Sequence, residues 1–399
     1  MKDDEINVLQ FCDNYYPQID GVIKVVDNSS KILNERGSVK VVVPKYRKNF
    51  YDDSNFSYDV LRKKTRSIHF NGIEIPLPKS TKRLTHLIKR YDADIYHIHS
   101  PFFIGRYALR LAKKYKVPVI GTFHSQFKKD ILSITNNERL ANMLIKGIVK
   151  VFNQCSEVWA PSKSTADILK SYGYKKDIYI MENGTDFVYP DNIDLIINDV
   201  VKEYCIQKEN KNLLFVGQIR EVKNIFLILE TLKLLLEEDK SYFLYLVGDG
   251  PDRVKYEKWI KENNIENNVC FIGKIEDRNV LAGIYAACDL FFFPSTYDNA
   301  PIVVRESCVM KTPVLLPKDS VASEPFIDCE NGYLEEENAF KMKDKIIKIF
   351  NDRNQMIKVG EQASKDIPIT YEKMVENTLD RYKYIIKKYE EENNEESIN

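Results

Sequence analysis

The stretch PSTYDNAPIVVRES, residues 294–307, follows a fully apolar run and sets two carboxylates, Asp298 and Glu306, eight positions apart. Pro301 suits a first helical turn, with Asn299 or Ala300 as its cap. The amides of Asn299, Ala300 and Ile302 are then expected to point out of a helix start; Pro301 has no N–H to give. Glu306 should lie about two turns down, roughly 9 Å away. Acids so placed repel a free anion but accept hydroxyl groups well. The bland alternative is an acidic helix start beside a surface glutamate.

A second stretch, FVGQIREVKN (215–224), reads as a strand, a turn at Gly217 and a basic segment opening a helix. Helix starts offer amides to anions, and Lys223 and Arg220 add full charge. LVGDGPD (246–252) places Gly248 and Gly250 in a turn after another strand, which alone is only a tight turn. Neither a dinucleotide fingerprint nor a P-loop occurs. Hydroxyls near the acids and phosphates near Lys223 together describe a sugar nucleotide.

Histidines supply the remaining chemistry. In DIYHIHS (94–100), His97 and His99 share one strand face, with His99 and Ser100 nearer the carboxyl end. His124 and Ser125 end the next run, GTFHS. A histidine there suits hydrogen bonding or proton transfer near neutral pH, against the alternative of a structural core histidine. The Asp-x-Asp pair Asp92 and Asp94 falls before its strand, at the wrong end for a ligand.

Positioning these groups needs parallel sheets. Short, continuously apolar runs at 7–12, 39–44, 94–100, 117–125, 157–162 and 178–184 alternate with amphipathic stretches; a second series lies at 212–218, 242–250, 268–274, 290–295 and 312–317. This predicts an α/β protein of two doubly wound, Rossmann-like parallel-sheet domains facing across a cleft. The break near 186–212 divides residues 1–190 from 191–369, and a helix at about 370–390 is expected to pack back on the first domain. Ligands in such sheets bind past the strands' carboxyl ends, where Gly21, Gly217, Gly273 and Asp298 all fall.

Composition narrows the class. Fifty-nine basic residues balance fifty-nine acidic ones, so nothing global points to nucleic acid. The acidic start MKDDEINVLQFC lacks the basic and apolar regions of a signal peptide, and the apolar runs are of strand length, so a cytoplasmic protein is expected. Seven cysteines without a C-x-x-C read as free thiols, with Cys12, Cys270, Cys288 and Cys308 as small buried hydrophobes.

In order and spacing these motifs resemble the GT-B retaining glycosyltransferases of family 4, over nearly the whole chain. PSTYDNAPIVVRES resembles the E-x7-E segment, VGQIREVKN the G-R-x-x-x-x-K-N segment and LVGDGPDR the G-x-G-P turn. APSKSTADILKSYGY and MENGTD resemble P-S-x-x-x-x-x-x-L and N-G-x-D, and YYPQIDGVIKVV the N-terminal glycine loop. The resemblance implies transfer with retention, no metal or other cofactor, and a nucleoside-diphosphate sugar, a UDP-sugar, as co-substrate. It gives Lys223 the pyrophosphate, Glu306 the ribose, Asp298 and the amides of Asn299, Ala300 and Ile302 the sugar, and Gly273 and Lys274 the base. Gly21, Gly217, Gln218, Arg220, Gly248 and Gly250 fall on the donor side. His99, Ser100, His124 and Ser125 fall on the acceptor side, His124 lining the reacting centre.

Three positions depart from the pattern: Gln218 replaces the pyrophosphate arginine, Asp298 the first glutamate and Asp20 a loop glycine. A degenerate scaffold protein is therefore one alternative; a GT-B epimerase or a phosphorylase is another. The layout of HIHSPFFIGRYALRLAKKYKVP resembles bacterial diacylglycerol glucosyltransferases, which implies a lipid or glycan hydroxyl as acceptor in envelope synthesis. In residues 138–155, Leu140, Met143, Leu144, Ile148, Val151 and Phe152 recur at helical spacing beside Arg139, Lys146 and Lys150. Such a helix suits peripheral contact with an anionic membrane, or equally a core-packed helix with a basic outer face. Residues 45–70 are expected to form an acceptor-side or surface loop.

Overall fold

The computed structural model describes residues 5–18, 20–46, 51–70, 73–78 and 82–398. The chain divides into two compact units, residues 1–184 with 369–399, and residues 185–368. The first division comes earlier than the expected 190, because Phe187 and Ile193 already pack into the second unit's core.

The first unit opens with β1 (Asn7–Phe11), α1 (Gly21–Arg36), β2 (Ser38–Lys45), β3 (Asp59–Phe70), β4 (Ile73–Pro78) and α2 (Lys82–Tyr91). It continues through β5 (Ile95–Ile98), α3 (Phe103–Tyr115), β6 (Val119–Thr122), α4 (Phe127–Thr135), α5 (Glu138–Phe152), β7 (Glu157–Ala160), α6 (Lys163–Ser171) and β8 (Tyr179–Ile180). The strand order is β4-β3-β2-β1-β5-β6-β7-β8, parallel except for β3 with β4. Alternate strand residues serve two cores: Leu9, Phe11 and Ile98 meet α2, α3 and α5, while Val8, Val41 and Ile120 meet α1. Helix starts are chemically marked: Asp20 accepts the Ile23 amide at 2.8 Å and Ser162 that of Thr165 at 3.1 Å.

The second unit runs α7 (Ile193–Glu203), β9 (Lys211–Val216), α8 (Ile225–Glu238), β10 (Tyr242–Val247), α9 (Arg253–Glu262), β11 (Val269–Gly273), α10 (Arg278–Ala287) and β12 (Leu290–Phe292). Then come α11 (Ile302–Val309), β13 (Val314–Pro317), β14 (Tyr333–Glu335), α12 (Ala339–Asn351) and α13 (Arg353–Asp366). Its six strands are all parallel, in the order β11-β10-β9-β12-β13-β14. Leu213, Leu214 and Phe215 of central β9 are wholly buried, each contributing about 1.5–3 kcal/mol of apolar transfer. The chain then returns to the first unit as α14 (Tyr371–Ile398), whose Val375, Tyr382 and Ile385 join the core beside α1.

Several expectations are corrected. Residues 59–70 are not a loop but strand β3, whose residues 59–64 pair with β2 and 65–70 with β4; residues 47–50 of that segment lie outside the described residues. Its charged sequence, DVLRKKTRSIHF, hides the strand; each half of β3 has one strand partner only, β2 and then β4, so no continuous apolar run is required. The short β14 also lacks an apolar run. Cys270 is half-buried rather than buried, because β11 is an edge; Cys12, Cys288 and Cys308 are buried, and all seven cysteines are free. In α5, Ile148, Val151 and Phe152 are consumed by the core, leaving only Met143 and Leu144 exposed among the large apolar residues of the expected membrane face.

Candidate functional site

The second unit gathers its charged residues past the carboxyl ends of β9, β11 and β12. Lys223 closes a short 3-10 turn, Glu221–Lys223, ahead of α8. Its ammonium donates to both oxygens of Asp298, at 2.6 and 2.8 Å. Ser295 donates a third hydrogen bond to Asp298 at 2.6 Å. Lysine and aspartate side chains are only 16% and 20% exposed. Asp298 is thus held rigidly, with its charge matched by a cation.

Glu306 is the second acid, and its surroundings were not legible in advance. It lies in the first turn and a half of α11, because the helix begins at Ile302 with Pro301 as its cap. The expectation that Asn299 or Ala300 would cap the helix is therefore corrected. A residue before proline avoids the helical region, and Pro301 itself stays extended at ψ 123°. The side chain of Pro301 makes no capping bond. Glu306 is 4% exposed, and burial raises its pKa above the usual carboxylate range, against the pull of Arg278. Arg278 Nη2 donates to Glu306 Oε1 at 2.8 Å and to Asp186 Oδ1 at 2.5 Å; Tyr285 donates to Oε2 at 3.2 Å. The guanidinium also lies 3.9 Å from the centre of the Phe187 ring.

Arg278, Asp186, Ser295 and Tyr285 were missed by sequence reasoning. Asp186 stood inside the N-G-x-D element without a role, and Arg278 is marked only by the capping aspartate before it, Asp277. The neighbouring loops are tightly fitted. A Cβ at Gly248 would lie 1.9 Å from the Gly217 carbonyl oxygen, and one at Gly250 2.3 Å from that of Ile219. These glycines let two strand-end loops pack against each other. Gly273 ends β11 with φ +89°. Lys274 is exposed and paired with Glu276. Gln218 and Arg220 are both exposed, on either side of the fully buried Ile219.

The first unit places different chemistry at its strand ends. His97 bonds Tyr382 of α14 through Nδ1 at 2.6 Å and Thr122 through Nε2 at 2.6 Å. His99 stacks on His97 with ring centres 4.1 Å apart, and its Nδ1 meets His124 Nε2 at 3.1 Å. Burial pushes all three imidazoles down, His97 to about 3, His124 to about 4 and His99 well below its ordinary value. They are neutral at pH 7 and suited to hydrogen bonding rather than to carrying charge. Ser100 accepts the Asp13 amide at 3.1 Å. Asp13 in turn accepts amides of Phe102, Ile104 and Gly105 at the start of α3, at 3.1, 2.6 and 3.3 Å. Burial nonetheless raises its pKa to about 6. Ser125 lies beside His124, half-exposed. Gly21 is the first residue of α1, with nothing within 4 Å of where a Cβ would stand. The departure at Asp20 has a plain local reason: it is the cap of that helix.

Among the described residues no three His, Cys, Asp or Glu gather to hold a metal ion, and no helix is long and apolar enough to cross a membrane. Two family models match the chain: Glycosyltransferase Family 4 over residues 19–188 and Glycosyl transferases group 1 over residues 198–366. The alpha-monoglucosyldiacylglycerol synthase of Streptococcus pneumoniae is 26% identical over 76% of this chain and 69% of its own. The GDP-mannose-dependent alpha-mannosyltransferase of Corynebacterium glutamicum is 23% identical over 77% of this chain and 71% of its own. Among solved structures, Anabaena HepE in complex with UDP and glucose matches with a TM-score of 0.71 at 17% identity, over 94% of this chain and 100% of that one. That likeness extends to the GT-B fold.

Proposed function

The chain belongs to the group 1 glycosyltransferases, and from that premise we propose that it moves a hexose from a UDP-sugar to a lipid or glycan hydroxyl, with retention and without a metal or other cofactor. The observation that carries the reading is the pair of matched acids in the second unit. Lys223 neutralises Asp298 and Arg278 neutralises Glu306. Acids so compensated still accept sugar and ribose hydroxyls, yet no longer repel a diphosphate as bare carboxylates would. Lys223 is the group that turns toward the diphosphate, a charge-assisted bond worth roughly 1.5–3 kcal/mol. In the transfer, the bond from the anomeric carbon to the leaving phosphate breaks and the acceptor oxygen bonds on the same face. The acceptor proton passes to the leaving phosphate. The enzyme's work is electrostatic support of that phosphate and positioning of the acceptor beside neutral His124.

The names of the relatives agree with this class while differing in donor, one being GDP-mannose-dependent. The S. pneumoniae protein is named for a glucosyldiacylglycerol product, which favours diacylglycerol as the first acceptor to try. A donor screen with membrane lipid extract, reading products by mass, tests the proposal. A glycolipid formed from one nucleotide sugar is the expected result. UDP binding without turnover would favour a degenerate scaffold, and donor turnover without acceptor-linked product an epimerase.

Peripheral work at the inner face of an anionic membrane belongs to the same proposal. It rests less on α5 alone than on three helices sharing one side of the first sheet. Helices α2 and α3 carry Lys82, Arg83, Lys89, Arg90, Arg106, Arg110, Lys113 and Lys114, all exposed, with no acid. Leu87, Phe102, Met143 and Leu144 stand exposed among them. For a chain of zero net charge this is a concentrated basic face, and each lysine or arginine near an anionic surface contributes about 1 kcal/mol. Retention by phosphatidylglycerol vesicles at low salt, lost on K89E/R90E substitution, is the expected outcome; no retention would sink it.

A further inference from the structure

The start of α3 breaks a local rule. Position 102 is its N-cap, where serine, threonine, aspartate or asparagine is preferred. Here it is phenylalanine, 40% exposed, and its side chain makes no capping bond. The capping work is done from elsewhere: the buried Asp13 accepts the amides of Phe102, Ile104 and Gly105. The turn before the helix is also fixed. Ser100 accepts the Asp13 amide, and a Cβ at Gly105 would lie 2.1 Å from the Ser100 carbonyl oxygen. An aromatic ring is thus held in water on a rigid turn that follows His99 and Ser100 directly. A local preference broken with no gain in packing or capping marks a position kept for function.

Phe102 is not isolated. Its ring stands edge-on to Phe127 with centres 5.3 Å apart, and Phe127 to Phe123, the neighbour of His124, at 5.6 Å. One turn along α3, on the same side of the helix, is Arg106. Its Nη2 lies 3.3 Å from where a Cβ at Gly147 of α5 would stand. One turn back from Gly147 are Met143 and Leu144, 61% and 42% exposed. Helices α3 and α5 lead into parallel strands β6 and β7, so both start at the carboxyl end of the sheet, where His99 and His124 stand. Three exposed apolar side chains therefore flank one guanidinium at the rim of the histidine row.

We infer that Phe102, Met143 and Leu144 carry the acyl chains of the acceptor, which is then an ester-linked lipid and not a glycan, with Arg106 donating to its ester carbonyls and its free hydroxyl turned to the histidine row. A sugar can stack on one aromatic ring, but Met143 and Leu144 offer it nothing. The head of the lipid is uncharged: the α3 amides that would hold a phosphate are already filled by Asp13. The patch continues the basic helix face, which brings such a lipid to it from an anionic membrane. That the hydroxyl receives a sugar rests on the glycosyl-transfer reading; the seating of the chains does not.

The test is photolabelling of the full chain, with UDP present, by a short-chain diacylglycerol bearing a diazirine in its acyl chain. The probe is kept below its aggregation concentration, so no bilayer contributes, and labelled peptides are mapped by mass. The expected label falls within residues 101–106 and 143–147. Phe102→Ser should remove most of it, while Phe102→Leu, which keeps an apolar side chain, should retain it. Serine is a preferred N-cap, so the Phe102→Ser melt should be no lower than that of the wild type. In the active enzyme Phe102→Ser should raise KM for the short-chain lipid about tenfold, as loss of a covered ring implies, and leave the donor KM unchanged. Label elsewhere, no label, equal label in Phe102→Ser, or a wild type that glycosylates a soluble glycan as well as a lipid would overturn the inference. Label at these residues without transfer from any nucleotide sugar would remove the glycosyl-transfer reading and leave the lipid seat standing.

Discussion

The two sheets end in opposite electrostatics. Past the strands of the second unit, charges are kept and paired: Lys223 with Asp298, Arg278 with Glu306 and Asp186. Past the strands of the first unit, ionisable groups are kept neutral by burial: His97, His99 and His124 all lose their protons well below pH 7. The difference follows from what each unit is proposed to hold. A nucleotide sugar brings phosphate charge and needs cations that can leave their partners. An acceptor hydroxyl brings none, and is best met by oriented neutral acceptors.

The sharpest way to break the contrast is to remove a cation from the second unit. Lys223→Ala should lower transfer by about 10²–10³, measured by product mass, while a thermal melt shows the fold retained. Undiminished transfer would remove Lys223 from the donor machinery. Arg278→Ala should act on stability as well as on turnover, because it strands Glu306 in a buried position. The expected loss is about 1–3 kcal/mol at neutral pH. The sign with pH is fixed by linkage. Glu306 already has a raised pKa in the fold, and losing Arg278 raises it further. The deficit should therefore be largest near neutrality and narrow as pH falls, when Glu306 is protonated in variant and wild type alike. A deficit independent of pH would mean that Arg278 acts through its packing on Phe187 instead.

The first unit should answer to acid in a way the second does not. All five histidines lie before residue 185. A histidine with a depressed folded pKa contributes stability that is present above its unfolded value, about 6.5, and lost as pH falls toward the folded value. For His124 and His97 those folded values are about 4 and about 3. Asp13 and Asp130, each raised to about 6, pull the other way as pH falls below that point. Three histidines against two carboxylates leave a net loss, about 1.4 kcal/mol per pH unit for each net proton. The two tryptophans separate the units: Trp159 is on β7 and Trp259 on α9. In single-tryptophan variants, Trp159 fluorescence should report a midpoint in denaturant that drops between pH 6.5 and 4, with a smaller change at Trp259. Equal drops would show that acid sensitivity is not confined to the histidine row.

How much of this was legible depended on whether a residue's partner is near in sequence pattern or only in space. The central strands were legible because NLLFV and VKVVV are continuously apolar, as burial on both faces requires. Lys223 and Asp298 were legible because each stands where a strand gives way to a helix. Arg278 was not, because its value comes from Glu306, twenty-eight residues on, and from Asp186, ninety-two residues back. Tyr382 was hidden for the same reason: nothing in TLDRYKYII says that its hydroxyl reaches His97, 285 residues earlier. Strand β3 was lost because its charged sequence, DVLRKKTRSIHF, lacks the continuous apolar run that marks the central strands.

The smallest predicted effect concerns the departure at Asp298. Its carboxylate is fixed by three short bonds, two from Lys223 and one from Ser295. A glutamate adds one methylene and cannot keep all three with Lys223 and Ser295 in place. Asp298→Glu should therefore loosen Lys223 and move the acid toward whatever sugar hydroxyls lie beyond it. The uridine is bound elsewhere, by Glu306 and the β11 end in the reading above, and Lys223 keeps its charge for the diphosphate, so UDP affinity should change less than threefold, about 0.65 kcal/mol or below. The ranking of donor sugars should change more. Competition of UDP-glucose, UDP-galactose and UDP-N-acetylglucosamine for one acceptor measures it. An unchanged ranking with weakened UDP binding would place Asp298 at the diphosphate instead, as a brake on Lys223 rather than a holder of sugar.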